Sequence, residues 1–143
     1  NMHPENALAR AKNKAWIEFG SSLLMKQFQL IMAPDSEAYA QRYEIVQADL
    51  SKIETMLKGT PFFNGDTMNL IDAAYAPFFM RIDYLIADTS AFFKDLPKCK
   101  QWSESLLAKD SVQKSVIPTL REKFTAFFKD KGSYSLNNET ITA

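Results

Sequence analysis

Residues 61–86 read PFFNGDTMNLIDAAYAPFFMRIDYLI, and this stretch decides the fold. Asn64-Gly65-Asp66 is turn chemistry, because these residues tolerate positive φ and the Asn and Asp side chains bond their own backbone. A helix start follows. Asn69 is a good N-cap, and Asp72 stands at N3 of a capping box, where its carboxylate reaches back to the free N–H of the cap. Met68, just before the cap, is placed to pack near Ala73 as a hydrophobic staple. Ile71, Ala74, Phe78, Ile82 and Leu85 then recur every three or four residues and form one apolar face. Tyr75, Phe79 and Ile86 lie outside that stripe, so the helix is expected to be surrounded rather than half exposed.

Upstream, residues 4–33 read as one long helix, with Pro4 in its first turn, Glu5 favouring that end and Pro34 forbidding continuation. Leu8, Ala11, Ala15, Phe19, Leu23 and Leu30 make one apolar row, and Ile17, Leu24, Phe28 and Ile31 a second. Two rows imply two neighbours. Asp35 or Ser36 caps a second helix running to about Lys58, where Gly59 ends it at C′. Tyr39, Tyr43, Val46, Leu50, Ile53 and Leu57 alternate spacings of four and three, which is a bundle seam. Two long helices with a short break imply an antiparallel hairpin.

Downstream, the central helix is expected to end near Ala87 to Asp88. Thr89 or Ser90 caps a short turn through Phe92-Phe93, which Leu96-Pro97 breaks. Cys99, Trp102 and Leu106 mark the apolar side of a helix from about Lys98 to Ala108. Asp110-Ser111 caps another, with Val112, Val116, Leu120, Phe124 and Phe127 inward and Pro118 kinking or interrupting it. Residues 132–143 are polar, lack periodicity and read as a tail. The expectation is an all-α bundle of five to six helices over residues 1–131, followed by that tail.

The composition agrees. A chain of 143 residues with 46% hydrophobic and 24% charged content is one soluble globular domain with a sizeable core. Only four glycines and little Val/Ile/Thr alternation argue against sheets. A formal net charge of zero gives no footprint for nucleic acid or an anionic membrane surface. The single cysteine excludes an internal disulfide framework and fits a reducing compartment. With no run of roughly 18 apolar residues and no signal peptide, the expected location is the cytoplasm.

Phe62 to Asp66, the Asn69-x-x-Asp72 box, Ala73-Ala74 and Pro77 together resemble the start of the central helix in the C-terminal domain of glutathione S-transferases. Residues 4–19, with Arg10 and Lys14-Ala15-Trp16-Ile17-Glu18-Phe19, resemble the first helix of that domain. Pro97-Lys98-x-Lys100-x-Trp102 followed by Asp110-Ser111-Val112 resembles its penultimate helix and the turn after it. Pro77-Phe78-Phe79-Met80-Arg81 is most similar to the omega-like, cysteine-type branch. The family usually has Ser or Thr where Asn69 stands, a physically equivalent cap. Full-length members also carry an N-terminal thioredoxin-like domain that binds glutathione and supplies the catalytic Tyr, Ser or Cys. No βαβ pattern of that kind occurs in this sequence.

The candidate residues follow from both readings. Cys99 is the only thiol, but it shares an apolar face with Trp102 and Leu106, where a buried thiol is inert. His3 is the sole histidine, without clustered partners for a metal or a catalytic triad. The sequence therefore offers no catalytic residue, no metal site and no cofactor of its own. Asp72 reads as structural, and removing it is expected to cost about 1–3 kcal/mol through unpaired buried donors. Arg81 either pairs with a carboxylate such as Asp83 or, as the resemblance implies, borders an acceptor pocket with Phe78. By the same resemblance Trp16, Phe19, Gly20, Leu23 and Phe124 complete the apolar wall. As plain sequence, these aromatics at helical spacing are core.

Two functions are expected. In the first, the chain is the electrophile-substrate and dimerisation domain of a glutathione S-transferase-like protein. Glutathione is then the co-substrate held by a separate thioredoxin-like domain, a hydrophobic electrophile is the ligand, and a homodimer is the assembly. In the second, it is a stand-alone helical protein–protein interaction module without catalysis, docking through its first two helices.

Overall fold

The structure is a computed structural model that describes residues 6–86, 88–114 and 119–137. Five helices of eleven residues or more build the bundle: α1 (Ala7–Ile31), α2 (Ser36–Met56), α3 (Leu70–Leu85), α5 (Pro97–Leu107) and α7 (Leu120–Asp130). Three four-residue turns of helix join or follow them: α4 (Thr89–Phe92), α6 (Asp110–Gln113) and α8 (Tyr134–Asn137). The described residues contain no strand, only an isolated antiparallel bridge between Phe62 and Gly65 at the turn before α3. Gly65 takes φ +142° there, a conformation that L side chains rarely adopt.

The central helix is enclosed, as its residues require. Ile71, Tyr75, Phe78 and Phe79 have no exposed surface, and Ile82, Leu85 and Ile86 are buried beside them. α3 packs chiefly against α1 and α5, and α1 pairs with α2. Trp102 of α5 is fully buried, with its ring 5.0 Å from Tyr75, 5.3 Å from Phe79 and 5.5 Å from Phe63. This aromatic cluster is the middle of the core. Burying each such ring contributes about 1.5–3 kcal/mol before the entropy of ordering it is counted.

Several helix ends differ from the sequence expectation, each for a local reason. α1 starts at Ala7, because Asn6 is the cap and its side chain accepts from the Leu8 and Ala9 N–H groups. His3, Pro4 and Glu5 lie outside the described residues, as do Ala87, Val116 and Pro118. Asp35 rather than Ser36 caps α2, which ends at Met56 because Leu57 is already extended. Asp88, not Thr89 or Ser90, caps α4 by accepting from the Ala91 N–H. Asp110 is the first residue of α6 rather than its cap, and Lys109 precedes it with no side-chain bond.

One inward assignment and part of the tail reading late in the chain change. Phe127 is 47% exposed and Phe128 is the buried residue of α7, since α7 is entered at Thr119 with its own phase. Part of the stretch read as a polar tail is packed: the Tyr134 N–H donates to the Ala33 carbonyl, and Ser133 and Ser135 are buried. Hydroxyls that bond locally make this possible without apolar periodicity, as Ser133 does to Ser135 and to the Leu136 N–H. Residues 138–143 lie outside the description.

Candidate functional site

Asp72 fixes the helix that carries the site. Its carboxylate has no exposed surface and accepts three hydrogen bonds: from the Asn69 N–H at 2.9 Å, the Phe63 N–H at 2.8 Å and the Trp102 indole N–H at 2.8 Å. Asn69 returns the box by accepting from the Ile71 N–H. One side chain thus ties the turn before α3, the first turn of α3 and α5 together. Met68 and Ala73, the expected staple, border the same hollow beside the first half of α3.

Two helical turns further on, α3 presents Arg81. Its guanidinium lies over the Phe124 ring of α7, with Cζ 5.1 Å from the centroid. No carboxylate of the described residues is within ion-pair distance of it, Asp83 included. Burial lowers the Arg81 pKa from its ordinary value, although an arginine stays charged at neutral pH. Arg81 and Phe124 together separate two hollows.

The larger hollow, about 790 Å³, lies against Met68, Ala76, Pro77 and Met80 on one side and Val112 and Leu120 on the other. Pro77 has no N–H, so α3 lacks the rung that would end on the Ala73 carbonyl beside this hollow. Lys109 and Ser111 stand at its margin. The smaller hollow, about 470 Å³, opens between α1 and α7 and is walled by Phe28, Ile31, Phe127 and Phe128, with Gln27 and Lys123. Both volumes suit a small organic ligand, and both walls are mainly apolar.

Of the residues the resemblance implies for a pocket, Arg81 and Phe124 meet at these hollows. The others do not line either one. Leu23 and Phe78 are fully buried core. Trp16 is half-buried and packs edge-on to Phe19 at 5.2 Å. Gly20 faces Tyr75 so closely that an added Cβ would stand 2.9 Å from Cζ of the ring. The Tyr75 hydroxyl, bonded to the Trp16 carbonyl, holds the ring in that position.

The sequence reading missed Ala76, Met80 and Gln27. Their signal was present as spacing: Met80 follows Ala76 by four on a third face of α3, and Gln27 follows Leu23 by four on an inward row of α1.

Among the described residues no thiol or imidazole lines either hollow. Cys99 is fully buried, its thiol donates to the Leu50 carbonyl at 3.7 Å, and burial, with the Glu54 carboxylate behind it, pushes its pKa up. Among the described residues no group of three or more His, Cys, Asp or Glu side chains is placed to hold a metal ion. Nor is any helix among them long and apolar enough to cross a membrane.

Residues 36–105 match the family model described as "Glutathione S-transferase, C-terminal domain". Glutathione transferase GST 23 of Zea mays is 26% identical over 118 residues, covering 80% of this chain and 53% of the relative. Among solved structures, glutathione transferase Omega 3C from Trametes versicolor superposes with a TM-score of 0.68 at 21% identity, covering 78% of this chain and 51% of that one. Leishmania TDR1, described as a unique trimeric glutathione transferase, gives a TM-score of 0.62 at 20% identity over 91% of this chain and 30% of that one. The structural likenesses establish the fold. The chain spans about half the length of the curated relative it matches.

Proposed function

We propose, from the premise that this chain carries a glutathione S-transferase C-terminal domain, that it is the electrophile-substrate half of a glutathione transferase-like protein. The observation that carries the reading is the unpaired Arg81 guanidinium on Phe124, set between two apolar hollows of ligand size. An apolar electrophile rests in a hollow beside Phe124. Glutathione is the co-substrate and is held by a thioredoxin-like domain, whose own residue ionises the thiol. The thiolate then adds to the electrophilic carbon of a haloarene, the carbon–halogen bond breaks and halide leaves with the electron pair, and Arg81 stabilises negative charge that develops next to it. The subclass closest to this arrangement is the omega-like one, and the setting is cytoplasmic, in keeping with a single buried, reduced cysteine.

The division of labour has a direct test. Calorimetric titration of the chain with an apolar halonitroarene should show binding that Phe124→Ala weakens, while the chain alone shows no glutathione conjugation. Conjugation by these residues unaided would refute it, because the reading assigns ionisation of the thiol to the thioredoxin-like domain. Neither tryptophan lines a hollow, so heat rather than indole emission is the appropriate readout.

A second reading, docking through the first two helices, draws on a separate observation. α1 and α2 leave Leu8, Met25, Ile45 and Met56 between 46% and 65% exposed. Large apolar side chains in that number mark an association surface. A homodimer through α1 and α2 is compatible with the substrate-side role and is its expected assembly.

A further inference from the structure

The smaller hollow, between α1 and α7, is lined by two polar groups that stand out, a half-buried cation with no carboxylate partner among the described residues and a buried amide with an unsatisfied oxygen. One is the Arg81 guanidinium, whose one close partner is the face of Phe124. The other is Gln27, only 2% exposed. Its amide Nε2 donates to the Phe78 carbonyl at 2.9 Å, whereas its Oε1 has no donor. Buried acceptors are nearly always satisfied in native proteins, and one left over points to a missing partner. A guanidinium drawn partway out of water favours a carboxylate, whose two oxygens match its fork of N–H groups. Lys123 adds a second cation on the same wall. The rest is ring surface: Phe28 is 44% and Phe127 47% exposed on opposite helices.

We propose that this hollow takes an amphipathic aromatic carboxylic acid bearing a hydroxyl or N–H on its apolar body. The carboxylate sits on Arg81 within reach of the Lys123 field, the flat body lies against Phe28, Phe124 and Phe127, and the hydroxyl or N–H supplies the hydrogen bond that Gln27 Oε1 lacks. An ionised carboxylate only accepts, so it cannot serve Gln27; the second polar group of the ligand is a requirement of the site. A volume of about 470 Å³ accommodates two fused rings and their substituents. The larger hollow lacks this signature, since neither of the buried unsatisfied side-chain atoms found among the described residues, on Asn13 and Gln27, borders it. The inference rests on the substrate-side reading and adds an anionic ligand class at this hollow.

The test is calorimetry on the full chain at low salt with naphthoic acid, its methyl ester and a hydroxylated naphthoic acid. The acid is expected to bind about tenfold more tightly than the ester, as a charge-assisted bond predicts. Arg81→Gln should erase that preference, Lys123→Gln should weaken acid binding severalfold, and Lys109→Gln at the other hollow should change nothing. The hydroxylated acid should bind severalfold more tightly than the plain one. Equal affinity for acid and ester overturns the inference and leaves the substrate-side reading standing. No binding by any of the three overturns the inference, and the halonitroarene titration decides the substrate-side reading separately. Sensitivity to Lys109→Gln in place of Lys123→Gln puts the acid in the other hollow and overturns the assignment, and equal affinity of the two acids overturns the role of Gln27.

Discussion

Replacing Asp72 with alanine removes the acceptor of three buried hydrogen bonds at once, from Asn69, Phe63 and Trp102. Bonds to a charged partner are worth about 1.5–3 kcal/mol each, so three would total roughly 5–9 kcal/mol. Part of that is returned, because the variant no longer buries a carboxylate, a cost of several kcal/mol. The net loss expected is about 3–5 kcal/mol, the range for removing one partner from a buried charged network. Such a loss is a large share of the roughly 5–15 kcal/mol that holds a domain together. Asp72→Asn keeps the two bonds at Oδ1 but turns an amide N–H toward the Asn69 N–H, so about 2 kcal/mol is expected. Urea unfolding followed by far-UV circular dichroism gives the stability. Tryptophan emission, with Trp102 a direct partner, gives the local effect. A loss below about 1 kcal/mol for the alanine variant, or an asparagine variant worse than it, would refute the reasoning.

Glu54 of α2 caps α5 from outside, accepting from the Lys98 and Cys99 N–H groups at 2.9 Å each, and α5 has no side-chain cap of its own. Glu54→Ala should therefore cost about 1–2 kcal/mol in the same urea assay. Gly20→Ala should lower the melting temperature despite the better helix propensity of alanine, because the new methyl meets the Tyr75 ring; an increase would show that the ring gives way. Burial and neighbouring Tyr43 push the Tyr39 pKa up to about 12, and burial raises Tyr43 and Tyr75 as well. The folded state then keeps protons that the unfolded state loses above pH ~10, so stability should fall as pH rises from about 10 towards 12; absorbance at alkaline pH should show a part of the phenolate signal appearing together with unfolding. In sedimentation, Met25→Glu with Ile45→Glu should convert a dimer to monomer, and an unchanged sedimentation coefficient would remove α1 and α2 from the interface.

The parts of the fold that were legible in the sequence are those with local causes. The capping box at Asn69 and Asp72 and the period of α3 need only neighbours in the chain, and α3 stands where those signals put it. The inward positions of α7 were harder to read: Phe128, not Phe127, is the buried residue. Asp72 was read as a cap with nearby donors, yet its third partner, the Trp102 indole, is thirty positions away and comes with tertiary packing. The candidate site was less legible still. Arg81 and Phe124 were identified, but Gln27 was not singled out, since its burial and its bond to the Phe78 carbonyl of α3 come with tertiary packing. The first-helix aromatics belong to a pocket wall only by resemblance and read as core on plain sequence; the Tyr75 ring fills the space in front of Gly20.

The central claim is that ligand enters beside Arg81 and Phe124. Methyl NMR of the chain, labelled at methionine and isoleucine and titrated with an apolar halonitroarene, tests it most directly. Met80 and Ile31 flank Arg81 from the two hollows, while Met25, Met56 and Ile45 lie exposed on α1 and α2. The account predicts saturable shifts at Met80 and Ile31 with the three surface methyls unmoved. Shifts confined to Met25, Met56 and Ile45, or none up to the solubility limit of the ligand, would contradict it.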